Sequence, residues 1–145
     1  MIQFFMAIAQ MNWGTLKYPL EDERMIEFSN SISTIYSLAE VHPGFIWRIS
    51  DEEAEKQLLE LGFDELISST VSVWDNADSL RDYTFNSLHG IYLIRSSEWF
   101  KKVEGPQLVI WNIANNHQPT FKEAFNRLEY LKSNGETDYA YGWQR

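Results

Sequence analysis

Apolar residues along this chain fall into two patterns: short runs that read as strands and spaced stripes that read as helices. Residues 2–13 are apolar almost throughout and stop at Gly14, which predicts a central strand. Met25, Phe28, Ile32, Ile35 and Ala39 recur at three- and four-residue intervals, so residues 22–40 are expected to form a helix with one apolar stripe. Asp22 and Glu23 suit its N-terminus, where the backbone dipole favours negative charge, and His42-Pro43-Gly44 stops it. Phe45-Ile46-Trp47-Arg48-Ile49-Ser50 alternates as a strand does. Residues 51–63 are acidic and helix-prone with no partner strand in view, and read as an exposed insertion holding a short helix.

Residues 67–74 are rich in β-branched side chains and predict another strand. Asp75-Asn76-Ala77-Asp78 supplies a turn and a helix cap, and a second long helix is expected over roughly 78–100. Gly105-Pro106 breaks the chain, and residues 107–113 form a fourth strand. Thr120 with Glu123 has capping-box spacing, which opens a third helix over 121–132. Asn134-Gly135 ends it, and residues 139–143 pack as a last extended piece. The order β-α-β-β-α-β plus a C-terminal helix is the ferredoxin-like split βαβ pattern, an α+β fold with an antiparallel sheet. No linker or low-complexity tract interrupts it, so residues 1–145 are expected to form a single domain. Helices cover only one face of such a sheet, and the other face predicts a homodimer.

Charge and composition narrow the partners. Twenty-one acidic against 12 basic residues leave a net charge of −9. That argues against nucleic acid, whose phosphates need clustered Lys and Arg, and against an anionic membrane surface. No apolar run approaches the ~18 residues of a membrane span. The apolar start has no basic region before it and no cleavage site after it, so a buried strand and a cytoplasmic protein are expected. The absence of cysteine excludes disulfides, thiolate nucleophiles and Cys-type zinc sites. His42, His89 and His117 lack His-x-x-x-His spacing and the glycines are scattered, so neither a metal site nor a nucleotide loop is expected.

The expected second helix carries the candidate chemistry. Asp82, Asn86 and His89 follow one another by four and then three residues along one helical side, with Phe85 and Tyr92 flanking His89. A histidine facing a pocket serves as a general acid or base near neutral pH. The plainer alternative is a half-buried histidine hydrogen-bonded for structure. Arg48 and Arg95 suit a carboxylate or phenolate, against the alternative of a salt bridge to one of the acidic residues. Trp47, Trp74, Trp99 and Trp111 either shape an aromatic pocket or fill the core and a subunit interface.

Ala9-Gln10-Met11-Asn12, Pro43-Gly44-Phe45-Ile46-Trp47-Arg48, Ser72-Val73-Trp74 and the stretch from His89 to Glu98-Trp99-Phe100 stand in an order and spacing that resembles the DUF3291 domain family. Gly105-Pro106, Leu108-Val109-Ile110-Trp111 and His117-Gln118-Pro119-Thr120 continue the resemblance, which runs from about residue 7 to about 133. The family is placed among the dimeric α/β-barrel proteins and is similar to antibiotic-biosynthesis monooxygenases. The resemblance implies that fold, a homodimer, and an enzyme that works without a cofactor on a small hydrophobic or phenolic molecule. In that reading His89 moves a proton, Arg48 or Arg95 steadies an anion, and Asn12 assists. Trp47, Trp74, Phe85, Tyr92, Trp99 and Trp111 line the ligand. The alternatives are a non-catalytic barrel that sequesters a hydrophobic ligand or haem, and one whose pocket is filled by its own side chains.

Overall fold

A computed structural model describes residues 7–144. Strand β1 (Ala7–Thr15) pairs antiparallel with β3 (Ile67–Trp74) on one side and with β4 (Leu108–Ile113) on the other. The short β2 (Phe45–Arg48) closes the far edge against β3, giving the sheet order β2-β3-β1-β4. Helix α1 (Ile26–Val41) joins β1 to β2, and α3 (Ala77–Asn86) with α4 (Leu88–Ile94) joins β3 to β4. This is the expected α+β ferredoxin-like arrangement, with α5 (Phe121–Asn134) as its extra C-terminal helix. Residues 2–6 of the expected first strand lie outside the described residues.

Alternation along the strands sends two different sets of side chains to the two faces. Ile8, Gln10 and Asn12 sit directly across from Trp74, Ser72 and Thr70 and point to the same face, where Ile35 and Ala39 of α1 and Leu80 and Tyr83 of α3 complete an apolar cluster around Ile8 and Trp74. The opposite face presents Ala9, Met11, Val71, Val73, Val109 and Trp111. This face is not bare. Phe121, Ala124 and Leu128 of α5 are completely buried on it, and Leu58 of the remaining helix, α2 (Asp51–Glu60), joins them. Residues 51–63 are therefore not a solvated insertion. Gln57 accepts a hydrogen bond from the Phe121 backbone N–H at 2.8 Å, tying α2 to the first turn of α5. The acidic first turn of α2, capped by Ser50, follows from the dipole and sits on its outer side.

The helix expected over 78–100 is broken. Ser87 leaves helical geometry at φ −112° and ψ −174°, α4 begins one residue later, and a 3-10 turn (Ser96–Glu98) follows it. The Ser87 hydroxyl donates to the Tyr83 carbonyl and accepts from the His89 N–H, so the break is satisfied on both sides. Gly90 explains why the two short helices lie so close. A Cβ there would stand 2.4 Å from the Phe85 carbonyl oxygen, and backbone cannot yield as a flexible side chain can. Gly90→Ala is accordingly expected to force α4 away from α3 at a cost of about 1–3 kcal/mol. In a chain of this size that is a loss of roughly 2–12 °C in melting temperature, measured by circular dichroism.

Candidate functional site

The face covered by α1, α3 and α4 carries a feature that an ordinary core lacks. Along β1 and the residue after it, the positions on this face run Ile8, Gln10, Asn12, Gly14 and Leu16. Ile8 belongs to the cluster around Trp74, and Leu16 belongs to a second cluster with Met25 and Trp99. Between the two clusters lies a polar row, and its members hold one another. Gln10 Nε2 donates to Ser72 Oγ at 2.7 Å, and Asn12 Nδ2 donates to Thr70 Oγ1 at 2.7 Å. The Thr70 backbone N–H donates to Asn12 Oδ1 at 2.9 Å, and Trp74 Nε1 donates to Ser72 Oγ at 2.9 Å. Gln10 and Ser72 are buried, while Asn12 and Thr70 are half-buried. Apolar side chains would fill this space at lower cost, because buried polar groups lose water and regain only what their partners give. Among the described residues the side-chain hydrogen bonds of Gln10 are all donated by Nε2, which leaves Oε1 as the acceptor end of the amide.

Arg48 extends the row to the sheet edge, since it stands across from Ser72 on the same face. Its Nε bonds Glu40 at 2.8 Å and its Nη1 bonds Asp51 at 2.8 Å, and the guanidinium lies 4.8 Å from the Tyr36 ring centroid. Burial, and behind it the Asp51 charge, pushes the Tyr36 phenol up to about 12, so it stays a neutral donor at physiological pH.

His89 lies on the same helix-covered face, at the first turn of α4. Its Nδ1 donates to the Thr84 carbonyl at 3.0 Å, and its ring packs on Tyr83 at 5.1 Å. Tyr83 in turn packs on Trp74 at 5.3 Å, which connects His89 to the polar row through two rings. With Nδ1 committed as a donor, Nε2 carries the lone pair, and among the described residues nothing bonds to it. Burial lowers the His89 pKa below its ordinary 6.5, and the Thr84 hydrogen bond opposes this only in part. A neutral imidazole with a free Nε2 is the form that accepts a proton.

The expected line of Asp82, Asn86 and His89 does not exist, because the break at Ser87 turns His89 away. Asn86 bonds Asp82 at 3.0 Å, and Asp82 holds His42 instead, at 3.0 Å. Asn12, Arg48 and His89 do share one side of the sheet, as do Trp74, Tyr92, Phe85, Arg95 and Trp99. Trp47 and Trp111 face the other way, into the core under α2 and α5, and are removed from the ligand set. Phe85 is largely exposed and packs on Trp143 at 5.4 Å. Trp99 is buried with Leu16 and Met25. Arg95 is spent on a paired contact with Glu27, at 2.5 and 2.8 Å, and on Glu98. Gln10, Thr70, Ser72 and Tyr36 are the residues that sequence reasoning missed. The available signal was a second alternation, polar residues two apart within β1 and within β3.

The sequence profile described as Domain of unknown function (DUF3291) matches residues 7–145. No curated protein sequence matches the chain. Among solved structures, one described as a candidate antibiotic biosynthesis monooxygenase of Nitrosomonas europaea superposes with a TM-score of 0.54 at 10% identity, over 81% of this chain and 100% of that one. A conserved protein of Methanosarcina mazei Go1 gives 0.52 at 19% identity, over 74% and 92%. MupZ of Pseudomonas fluorescens gives 0.52 at 9% identity, over 91% and 84%. At these identities the likeness is one of fold.

Proposed function

Because the chain belongs to the DUF3291 family and shares its fold with monooxygenase-like proteins, we propose that it is a monooxygenase-like enzyme. It acts without a cofactor on a small hydrophobic, phenolic molecule. The observation that carries this reading is the polar row of Gln10, Asn12, Thr70 and Ser72, set between two apolar clusters on the helix-covered face. A flat aromatic molecule placed there would meet apolar walls on two sides and hydrogen-bonding groups at one edge. Gln10 Oε1 accepts its phenol O–H, and Asn12 and Thr70 exchange bonds with it. His89 Nε2 removes a proton from an activated CH₂, and the resulting carbanion, delocalised as a phenolate, is oxidised by dioxygen. The balance is R₂CH₂ + O₂ → R₂C=O + H₂O, with the four electrons drawn from the methylene carbon. Arg48, whose charge is already met by Glu40 and Asp51, orders the edge of the sheet beside the row. Homodimerisation rests on the family's fold alone once the bare-face argument is removed, and light scattering at twice the chain mass would support it.

Two probes test the reading. 2-Naphthol binding is followed by tryptophan fluorescence, since Trp74 borders the row. Anthrone oxidation is followed by oxygen uptake. Gln10→Leu, which keeps the volume and removes the amide, is expected to weaken 2-naphthol binding roughly tenfold, the worth of one buried hydrogen bond. Unchanged affinity in that variant would remove the row from the site. Anthrone turnover at the uncatalysed rate, with 2-naphthol still bound, would reduce the enzyme to a binding protein.

A further inference from the structure

The roof over the polar row is built unlike the rest of the chain. Helix α4 is seven residues long and apolar on nearly every side, yet only Gly90 is buried. Leu88, Ile91, Leu93 and Ile94 are 38%, 56%, 40% and 85% exposed. The half-buried Tyr92 packs against both apolar clusters and so bridges them. A segment that buries so little of its own surface is held by few contacts, and such segments open at low cost.

Its two ends are fastened by different means. At the N-terminal end the hydroxyl of Ser87 bonds in both directions, His89 Nδ1 holds the Thr84 carbonyl, and Gly90 sits hard against Phe85. Beyond the C-terminal end the chain is tied to the end of β1, where the Lys17 N–H donates to the Trp99 carbonyl and the Lys101 N–H to the Thr15 carbonyl, each at 2.8 Å. The movable stretch therefore ends before Trp99, and α4 itself is held there by ion pairs. Arg95 ends α4 and reaches across to Glu27 in the first turn of α1, with Nη1 at 2.5 Å and Nη2 at 2.8 Å, while its Nε holds Glu98 at 2.7 Å. Its guanidinium stacks on Trp99 at 4.8 Å. The Glu27 side chain is more than half exposed, so the cross-helix pair is weak and screened by salt.

We propose that α4 is a lid over the polar row, hinged at Ser87–Gly90 and latched by Arg95 on Glu27. Opening lifts Tyr92 off the two clusters and exposes Gln10 and Asn12 to an entering molecule. Closing restores the roof and returns His89, which moves least because it lies at the hinge, to the same place over the substrate. The proposal rests on the reading of the row as a ligand site, and its test separates the two.

Hydrogen exchange is measured by mass spectrometry on the whole chain, together with stopped-flow binding of 2-naphthol. In the unaltered protein the amides of α4 are expected to exchange at least tenfold faster than those of α5. Glu27→Gln, which breaks the latch and leaves Arg95 on Glu98, should raise α4 exchange a further threefold or more and leave α5 unchanged. The association rate for 2-naphthol should rise severalfold in Glu27→Gln, and added salt should raise it in the unaltered protein but not in the variant. Protection of α4 equal to that of α5, or faster exchange throughout the variant, would overturn the lid. Faster α4 exchange with an unchanged association rate would overturn the gate and leave the ligand site standing. Absence of 2-naphthol binding in both proteins would overturn the site and the gating role with it, whereas the exchange pattern alone still decides whether α4 opens.

Discussion

Replacing His89 by alanine is expected to lower anthrone turnover roughly 10²–10⁴-fold, the range that a positioned proton-transfer group contributes. The fold should survive, because the side chain is only half-buried and its one hydrogen bond is to a carbonyl in the last turn of α3. Loss of that bond is worth about 1 kcal/mol, a shift of a few degrees in the melt. The pH dependence supplies a sharper test. Burial disfavours the imidazolium, so the folded chain binds this proton more weakly than the unfolded chain, whose histidine titrates near 6.5. Activity that needs the neutral ring therefore falls on acidification, with its midpoint below 6.5. Stability follows the same direction. The unfolded state binds more protons than the native state between 6.5 and the lowered native value, so the His89 contribution is complete above 6.5 and is lost as the pH falls through that window. The alanine variant should lose both the acid limb of kcat/KM and this part of the stability curve. Turnover equal to that of the unaltered protein would remove His89 from the mechanism.

How far the site was legible depends on which residues are asked. The faces of β1 and β3 follow from alternation alone: Ala7, Ala9 and Met11 go one way, and Ile8, Gln10 and Asn12 the other. What alternation leaves open is register. Gln10 meets Ser72, and Asn12 meets Thr70, only because two strands some sixty residues apart pair in one alignment. Neither run is unusual by itself, so the polar row emerges from the pairing. The break at Ser87 was hidden for a different reason. Serine and a lone glycine are tolerated inside helices, and the apolar periodicity of 78–100 continues through them. The turn is set by the approach of Gly90 to the Phe85 carbonyl, a tertiary contact. Helix α5 was legible as a helix, from Thr120 to Gly135, but its apolar side does not say which surface it covers. Assigning that face to a second subunit followed a general rule for open sheets, and here the chain covers the face with its own C-terminal residues.

That covered face carries the last and largest stability effect. Trp111 is fully buried beneath α5, and its Nε1 donates to Glu123 Oε2 at 2.9 Å. The other oxygen of Glu123 meets His117 Nε2 at 2.7 Å, so one carboxylate fastens the β4–α5 loop and the core tryptophan together. Trp111→Ala removes the ring and leaves a cavity between strands and helix that close packing cannot fill without moving the sheet. A loss of about 3–5 kcal/mol is expected, enough to consume a large part of the stability of an ordinary domain. Trp111→Phe keeps most of the apolar volume and strands the Glu123 oxygen, so its cost should be smaller, about 1–3 kcal/mol. Urea unfolding of both variants measures these values. 2-Naphthol binding to Trp111→Phe measures something else, since the indole points away from the polar row. Affinity in that variant should match the unaltered protein while stability falls. A large loss of affinity without loss of stability would place the ligand under α5, and the two faces of the sheet would have to exchange their roles.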